Sequence, residues 1–495
     1  MTEDIGSKVF SGAIWMVALR MSVKFIGLLS TMVLARLLVP EDFGIIAIAM
    51  TIYAFLELIN AFGFDMVLIQ NQHAGKADYD SAWTMQVMFG FIASLLMCLV
   101  TFPLAQYYND ERLIEVMFAL ALLFLINSLK NIGLVDFRKH FQFNKEFKFQ
   151  LIVKVLSTLI TISLAFTLQS YWALVFGMLS SSFISLILSY LMSPYRPSFC
   201  FERVQAIFRF SKWLLLNNLL FFMNNRAHDL IIGKIINPQA VGLFSVSNEI
   251  ATLPTSELIA PINRASYPGY TKVSSDQSAL SQLFLNIVSS IAILAIPAGV
   301  GVAVLAPILV PIMLGNQWQS AVLLIQIIAV SSVAVSLNTN IGYVYMAINR
   351  PKITTVLFTL RLIIYIPILI YFLSLFGVLG AAYASGLVSF IIFPVAVTIA
   401  CKMIQLRVAD YLRTILRPIC ASGIMYLLLA HLVQLESDYF AIDIQASILY
   451  CIAYALLGAL IYVISLIGLW WISGKPDSAE KKLVNKMFKL AHGTS

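Results

Sequence analysis

Residues 285–306 read LNIVSSIAILAIPAGVGVAVLA, a run without a single Asp, Glu, Lys or Arg. A helix rises about 1.5 Å per residue, so about 20 apolar residues cross a hydrocarbon core of about 30 Å. The segment has the length and the composition of such a span, and similar runs recur along the chain. They predict spans at 12–35, 43–65, 82–103, 114–134, 149–168, 171–191 and 210–233, then at 243–263, 285–306, 320–343, 354–374, 379–400, 414–434 and 446–471. Strands of a transmembrane barrel need only about 10 residues of alternating polarity, which does not fit these runs. The expectation is an all-α polytopic membrane protein with about fourteen transmembrane helices.

Composition agrees. The chain has 495 residues, 60% hydrophobic and 11% charged, whereas a soluble domain carries about 25% charged residues. A water-facing surface would be hard to build from so little charge, while lipid solvates an apolar exterior. The net charge of +8 sits in the segments between apolar runs, which points to membrane topology rather than nucleic acid. No nucleic-acid motif is present. The five cysteines form no CxxC pair and read as small buried hydrophobes. The opening MTEDIGSKVFSGAIW is mixed, and no small-residue cleavage site follows the first apolar run, so that run reads as the first span rather than a signal peptide.

Charge also orients the chain. With the N-terminus inside, the cytoplasmic segments hold 23 basic residues and the external ones only Arg36, Arg112 and Lys234. A helix miscounted in the middle would swap every later loop and destroy that asymmetry. Both termini are therefore expected in the cytoplasm. Loops 137–148 and 192–209 are expected inside, and 104–113 and 435–445 outside.

An internal repeat emerges from spacing. Trp15, Arg36, Pro40 and Gly44 correspond to Trp213, Lys234, Pro238 and Gly242, all at one offset of 198 residues. Six helices separate the equivalents, so the halves share one orientation, an arrangement found in transporters. The expected organisation is a six-helix bundle over 1–191, a cytoplasmic linker over 192–209 and a second six-helix bundle over 210–400. Helices thirteen and fourteen follow over 401–471, and a cytoplasmic tail occupies 472–495.

Ionisable groups within hydrocarbon are costly and face a bundle interior or water. Arg20 and Lys24 share one face of helix one, and their like charges call for a carboxylate, water or an anionic substrate. Helix two carries Glu57, with Asp65 near its inner end. Helix seven, WLLLNNLLFFMNNRAHDLIIG, is the most polar and includes Asn218, Asn225, Arg226 and Asp229. Asn and Arg suit sugar hydroxyls and acidic groups because they offer several fixed donors. Glu249 and Glu257 lie on helix eight and Arg361 on helix eleven. The substrate-cavity candidates are Arg20, Lys24, Arg226, Asn218, Asn225 and Arg361. The ion-coupling or charge-pair candidates are Glu57, Asp65, Asp229, Glu249 and Glu257. The competing reading pairs Lys24 with Glu57 and Arg226 with Asp229 solely to hold the fold. Pro297, Pro367 and Pro394 bend their helices. No GxxxxGK[ST], HExxH or nucleophile–base arrangement occurs. No catalytic residue, metal ligand or cofactor is expected, and the chain is not read as an enzyme.

Ser11, Gly12 and Trp15, followed by VLARLLVPEDFGIIAIA (Val33–Ala49), GFDMVLIQ (Gly63–Gln70) and FRKHFQFNKEFKF (Phe137–Phe149), resemble the bacterial polysaccharide-transport family of lipid-linked oligosaccharide flippases. The likeness is to its colanic-acid and lipopolysaccharide-biosynthesis branch and covers nearly the whole chain. That family sits within the multidrug/oligosaccharidyl-lipid/polysaccharide exporter superfamily. The resemblance implies two six-helix bundles in a V-shaped, alternating-access fold in the inner membrane. It implies an undecaprenyl-pyrophosphate-linked oligosaccharide as substrate, for exopolysaccharide, capsule or O-antigen. Among membrane lipids, the glycan would cross while its lipid tail stays in the bilayer, with a glycan polymerase and a chain-length regulator as functional partners. Proton or sodium gradient coupling follows from the same resemblance, without a residue to carry it. Two alternatives stand beside it: a multidrug or small-solute exporter of the same superfamily, and a membrane glycan polymerase or ligase.

Overall fold

The computed structural model describes residues 2–60, 68–69, 71, 73–202, 204–435 and 444–475. Fourteen long helices run through these residues. They are α1 (Thr2–Leu37), α2 (Pro40–Asn60), α3 (Lys76–Tyr108), α4 (Arg112–Ser128), α5 (Phe143–Leu168), α6 (Trp172–Met192) and α7 (Val204–Ile235). Then come α8 (Pro238–Val273), α9 (Gln277–Met313), α10 (Ala321–Ala347), α11 (Lys352–Phe376), α12 (Val378–Met403), α13 (Val408–Leu435) and α14 (Ile444–Ile472). Each of the fourteen expected spans falls on one of them. The protein is an all-α polytopic membrane protein.

By length and apolar composition alone, ten described helices qualify as membrane spans, or eleven when Arg112–Ser128 and Ile132–Lys139, bent by 63°, form one broken span. Two helices, α7 and α8, fall short for a reason that their sequences give: α7 carries RAHD and four asparagines, and α8 carries Pro254, Pro261 and Pro268 with two glutamates. α2, mostly apolar from Phe43 onward with Glu57 as its one charge there, has the composition of a span. Polar helices of this kind belong inside a bundle rather than against lipid. The outward faces look different. Phe25, Leu191, Leu427 and Leu449 are 62–74% exposed, which a hydrocarbon solvent tolerates.

The chain forms two compact units, Met1–Gly242 and Leu243–Ser495. In the first, α3 packs on α4, α4 on α6 and α5 on α6; in the second, α9 packs on α10, α10 on α12 and α11 on α12. The same three pairings thus recur six helices later, the packing counterpart of the 198-residue offset. The first unit also contains α7, seated on α2 and α3, while α1 lies along α5. In the second unit, Phe284, Tyr345 and Tyr411 are buried together. The Tyr345 hydroxyl donates to Ala396 O (2.9 Å) and that of Tyr270 to Asn340 Oδ1 (2.8 Å). A phenol buried without an acceptor is costly, so these bonds fix how α8, α10 and α12 meet. α13 and α14 pack on α9, where Tyr462 donates to Ile293 O at 3.0 Å. Asp276 caps α9 by accepting from Ser278 N and Ala279 N. Those bonds, Ala279's first, hold its carboxyl below the usual carboxylate range.

Unit one has two polar ends. At the first, Arg112 bridges Glu41 (2.6 Å) and Asp110 (2.8 Å), and Asp42 accepts from Val39 N and Tyr171 N. Pro40 starts α2 at the position where a missing N–H costs nothing. At the opposite end, the chain leaving α6 is strapped down in extended form. Asp80 accepts from the Tyr195 hydroxyl, Ser198 N and Ser198 Oγ, and Cys200 N donates to Thr84 Oγ1. Burial, then the bond to Asp80, pushes the Tyr195 phenol's pKa up.

Candidate functional site

The most polar stretch of the sequence, on α7, meets α2 and α3 through a small set of side chains. Asp229 is 1% exposed. The hydroxyl of Thr51 on α2, also 1% exposed, lies 3.2 Å from Asp229 Oδ2 and 2.8 Å from Ala47 O, and its one proton is shared between these two acceptors. Arg226 Nη1 stands 3.5 Å from the same oxygen, one turn away on α7. His228 Nε2 lies 3.4 Å from Oδ1, yet Oδ1 accepts no hydrogen bond among the described residues. A buried carboxylate with one oxygen under-satisfied is costly where it stands. It is therefore suited to taking up a proton or a cation, or to re-pairing when the helices move.

Neighbouring contacts brace this carboxylate. Tyr108 of α3 donates to Leu230 O at 3.1 Å, and Phe55 of α2 meets Phe222 of α7 with ring centroids 5.6 Å apart. Tyr53 stacks on Phe124 at 4.1 Å and receives a hydrogen bond from Asn127 Nδ2 at 3.0 Å, joining α2 to α4. On the same helix, Glu57 is exposed, and the cation within its electrostatic reach is Lys130.

The sequence candidates sort as follows. Arg226 and Asp229 come together at the spacing expected of residues three apart on a helix. Asn225 is exposed and turns its amide back onto Phe221 O at 2.7 Å. Arg20 is half-buried and Lys24 exposed, both on α1. In the second unit, Glu249 is exposed, Glu257 half-buried and Arg361 half-buried on α11. Tyr365, one turn along α11, is the group Arg361 senses electrostatically. Asp65 and the side chain of Asn218 lie outside the described residues. Among the described residues no three His, Cys, Asp or Glu side chains gather as a metal set.

Thr51 and Lys130 complete the arrangement and were missed as functional candidates. Thr51 sits in an apolar run and is 178 positions from Asp229, so nothing local flags it. Lys130 reads as a snorkelling helix-end lysine, and only the turn after Ser128 brings it into reach of α2.

The chain as a whole is similar to several known proteins. Three curated relatives cover most of the chain. "Lipopolysaccharide biosynthesis protein WzxC" of Escherichia coli (strain K12) is 23% identical over 78% of this chain and 80% of its own length. "Teichuronic acid biosynthesis protein TuaB" of Bacillus subtilis (strain 168) is 22% identical over 94% and 96%. "Succinoglycan biosynthesis transport protein ExoT" of Rhizobium meliloti (strain 1021) is 22% identical over 67% and 68%. Among solved structures, the lipid II flippase MurJ in an inward closed conformation matches with a TM-score of 0.73 at 14% identity, over 92% of this chain and 99% of that one. That likeness establishes a shared fold. Residues 33–323, more than half of the chain, match the family described as polysaccharide biosynthesis protein, and the protein belongs to that family.

Proposed function

We propose that this protein is a flippase. It carries undecaprenyl-pyrophosphate-linked oligosaccharide repeat units from the cytoplasmic to the periplasmic leaflet of a bacterial inner membrane, by alternating access. The observation that carries this reading is the combination of family and build. A member of a polysaccharide biosynthesis family consists, across its described residues, of membrane-length helices joined by short turns. Sugar chains assembled on one side of a membrane and used on the other need a carrier, and this build offers a path rather than a catalytic domain. A relative named for transport and a fold shared with a lipid II flippase support the same reading.

In this reading both termini are cytoplasmic, as the 23-to-3 basic asymmetry requires. The sequence repeat, 1–191 and 210–400, supplies the two bundles that rock about the substrate path, with 192–209 as the cytoplasmic linker. Arg20, Lys24, Arg226, Asn218, Asn225 and Arg361 provide donors for the glycan and the pyrophosphate. Asp229, Glu57, Asp65, Glu249 and Glu257 are the groups through which a proton or sodium gradient would act, Asp229 foremost because of its open oxygen. A glycan polymerase and a chain-length regulator act downstream.

Depletion of the protein tests the proposal. Lipid-linked repeat units accumulating in the cytoplasmic leaflet are the expected result, and a normal leaflet distribution overturns it. A multidrug exporter shares the fold but would leave that distribution unchanged while altering drug sensitivity.

A further inference from the structure

At the strapped end of unit one lies a cavity of about 240 Å³, walled by the end of α4, the 131–138 turn, the start of α5 and Gln86 of α3. Glu146 lines it and is 4% exposed. Its Oε1 accepts from Arg138 Nε (2.8 Å), Arg138 Nη2 (2.7 Å) and Gln150 Nε2 (3.0 Å). Its Oε2, also buried, has no hydrogen-bond partner among the described residues. Asn127 repeats the pattern: Nδ2 donates to the Tyr53 hydroxyl, while the buried Oδ1 accepts no hydrogen bond among the described residues. Buried acceptors are costly unless a donor meets them. Lys130 adds an ammonium to the same wall, and Phe137 and Phe149 add aromatic faces.

Charge selects the ligand class. Glu146 neutralises Arg138 in direct contact, and its second oxygen, buried with no hydrogen-bond partner among the described residues, repels an anion. A free phosphate therefore gains little. A metal ion is disfavoured by two neighbouring cations and by having one carboxylate to bind. Two open acceptors beside an ammonium donor call for groups that both donate and accept, and hydroxyls do so. A pyranose presents adjacent hydroxyls around an apolar C–H face, which the phenylalanines match. The space is about eight times the ~30 Å³ share of a water molecule, enough for a single sugar ring.

We infer that this cavity is a subsite for one neutral sugar of the transported glycan, engaged from the Arg138 end of unit one before the glycan crosses. The inference rests on the flippase reading for its ligand, and it assigns Glu146 and Asn127, which the α7 site does not use. It makes the protein selective for sugar hydroxyls, because a site built to bond a hydroxyl rejects the analogue lacking it.

The test uses the full chain in lipid nanodiscs and a panel of neutral methyl glycosides, followed by saturation-transfer NMR. Wild type is expected to bind at least one glycoside at millimolar affinity. Glu146→Gln and Asn127→Leu are each expected to weaken it at least about tenfold, in protein that melts above the assay temperature. Should Glu146→Gln fold poorly, Lys130→Gln replaces it with the same expectation. Absence of glycoside binding by folded wild type overturns the subsite, as do wild-type affinities in the variants or displacement of the glycoside by inorganic phosphate. If depletion traps repeat units in the cytoplasmic leaflet while no glycoside binds, the subsite fails and the flippase stands. If glycoside binding is lost in both variants but depletion leaves the leaflets normal, the flippase reading fails instead.

Discussion

Gly44 and Gly242, equivalent positions of the internal repeat, pack against each other reciprocally: a methyl on Gly44 would overlap the Pro238 carbonyl oxygen, and one on Gly242 would overlap that of Pro40. The turn that opens α2 and the turn that opens α8 thus meet backbone to backbone. Each proline starts its helix, and the glycine one turn later removes the side chain that would hold the two turns apart. Such an approach is open only to glycine.

Gly44→Ala and Gly242→Ala are therefore expected to part these turns, at a cost of about 1–3 kcal/mol each. Repeat-unit export should fall at least tenfold, and the melting temperature in detergent should drop. Gly301→Ala serves as control, since nothing lies within 4 Å of a Cβ there. Wild-type export and melting in both Gly44→Ala and Gly242→Ala would show that the contact is incidental.

The strap after α6 makes a second prediction. Asp80 gathers Tyr195 and Ser198, and Trp83 meets Phe199 with centroids 5.1 Å apart. Asp80→Ala removes the acceptor for three donors and should release the segment. The half-buried Cys200 reports it: maleimide labelling in a variant otherwise free of cysteine should accelerate at least tenfold. An unchanged rate means that Thr84 and the aromatic contact suffice to hold the strap.

The helices were legible because each span needs a long apolar run, and such runs leave few alternatives. The break after Ser128 was not, since apolar residues continue through Ile132, Gly133 and Leu134 into the expected span 114–134. Asn131 makes the turn. Its side chain accepts from Gly133 N, and its own N–H donates to Ser189 Oγ, bonds that compete with helix continuation. The common offset of 198 residues was readable in the sequence, but an offset carries no hint that Gly44 faces Gly242. In the site, the three-residue spacing of Arg226 and Asp229 was readable, whereas Thr51 depends on how α2 settles on α7.

Arg361 sets a contrast of sign. Among the described residues it has neither an ion-pair nor a hydrogen-bond partner, although it is half-buried on a membrane helix. A cation retained there without a carboxylate costs stability. Arg361→Gln is expected to leave membrane abundance equal or higher while export falls at least tenfold. Lower abundance with unaltered export per molecule would mark Arg361 as structural.

Arg226 and Asp229 should behave the opposite way. Removing Arg226 takes away a guanidinium 3.5 Å from a carboxylate whose other close contacts include Thr51 and His228. Arg226 itself is 52% exposed along its side chain, so solvent screens the pair and its loss costs about 1 kcal/mol or less. Removing the charge of Asp229 acts on a fully buried group. Asp229→Asn keeps an acceptor for the Thr51 hydroxyl, but places an amide donor where the Arg226 guanidinium and the His228 ring approach. The expected order is therefore mild loss of abundance for Arg226→Gln, larger loss for Asp229→Asn, and partial recovery in the double variant, because neither partner is then left with an unmatched charge. Transport separates the remaining possibilities. If Asp229 also takes up the coupling ion, the double variant regains abundance but not export, and its residual export no longer responds to collapse of the proton or sodium gradient. If the pair only holds α7 in place, export returns in step with abundance. Thr51→Val tests the same carboxylate from α2. It should cost about 1 kcal/mol, because the one hydroxyl proton is shared with Ala47 O, and so lower abundance in wild type but far less in Asp229→Asn. An equal effect in both backgrounds would mean that Thr51 and Asp229 are neighbours without being coupled.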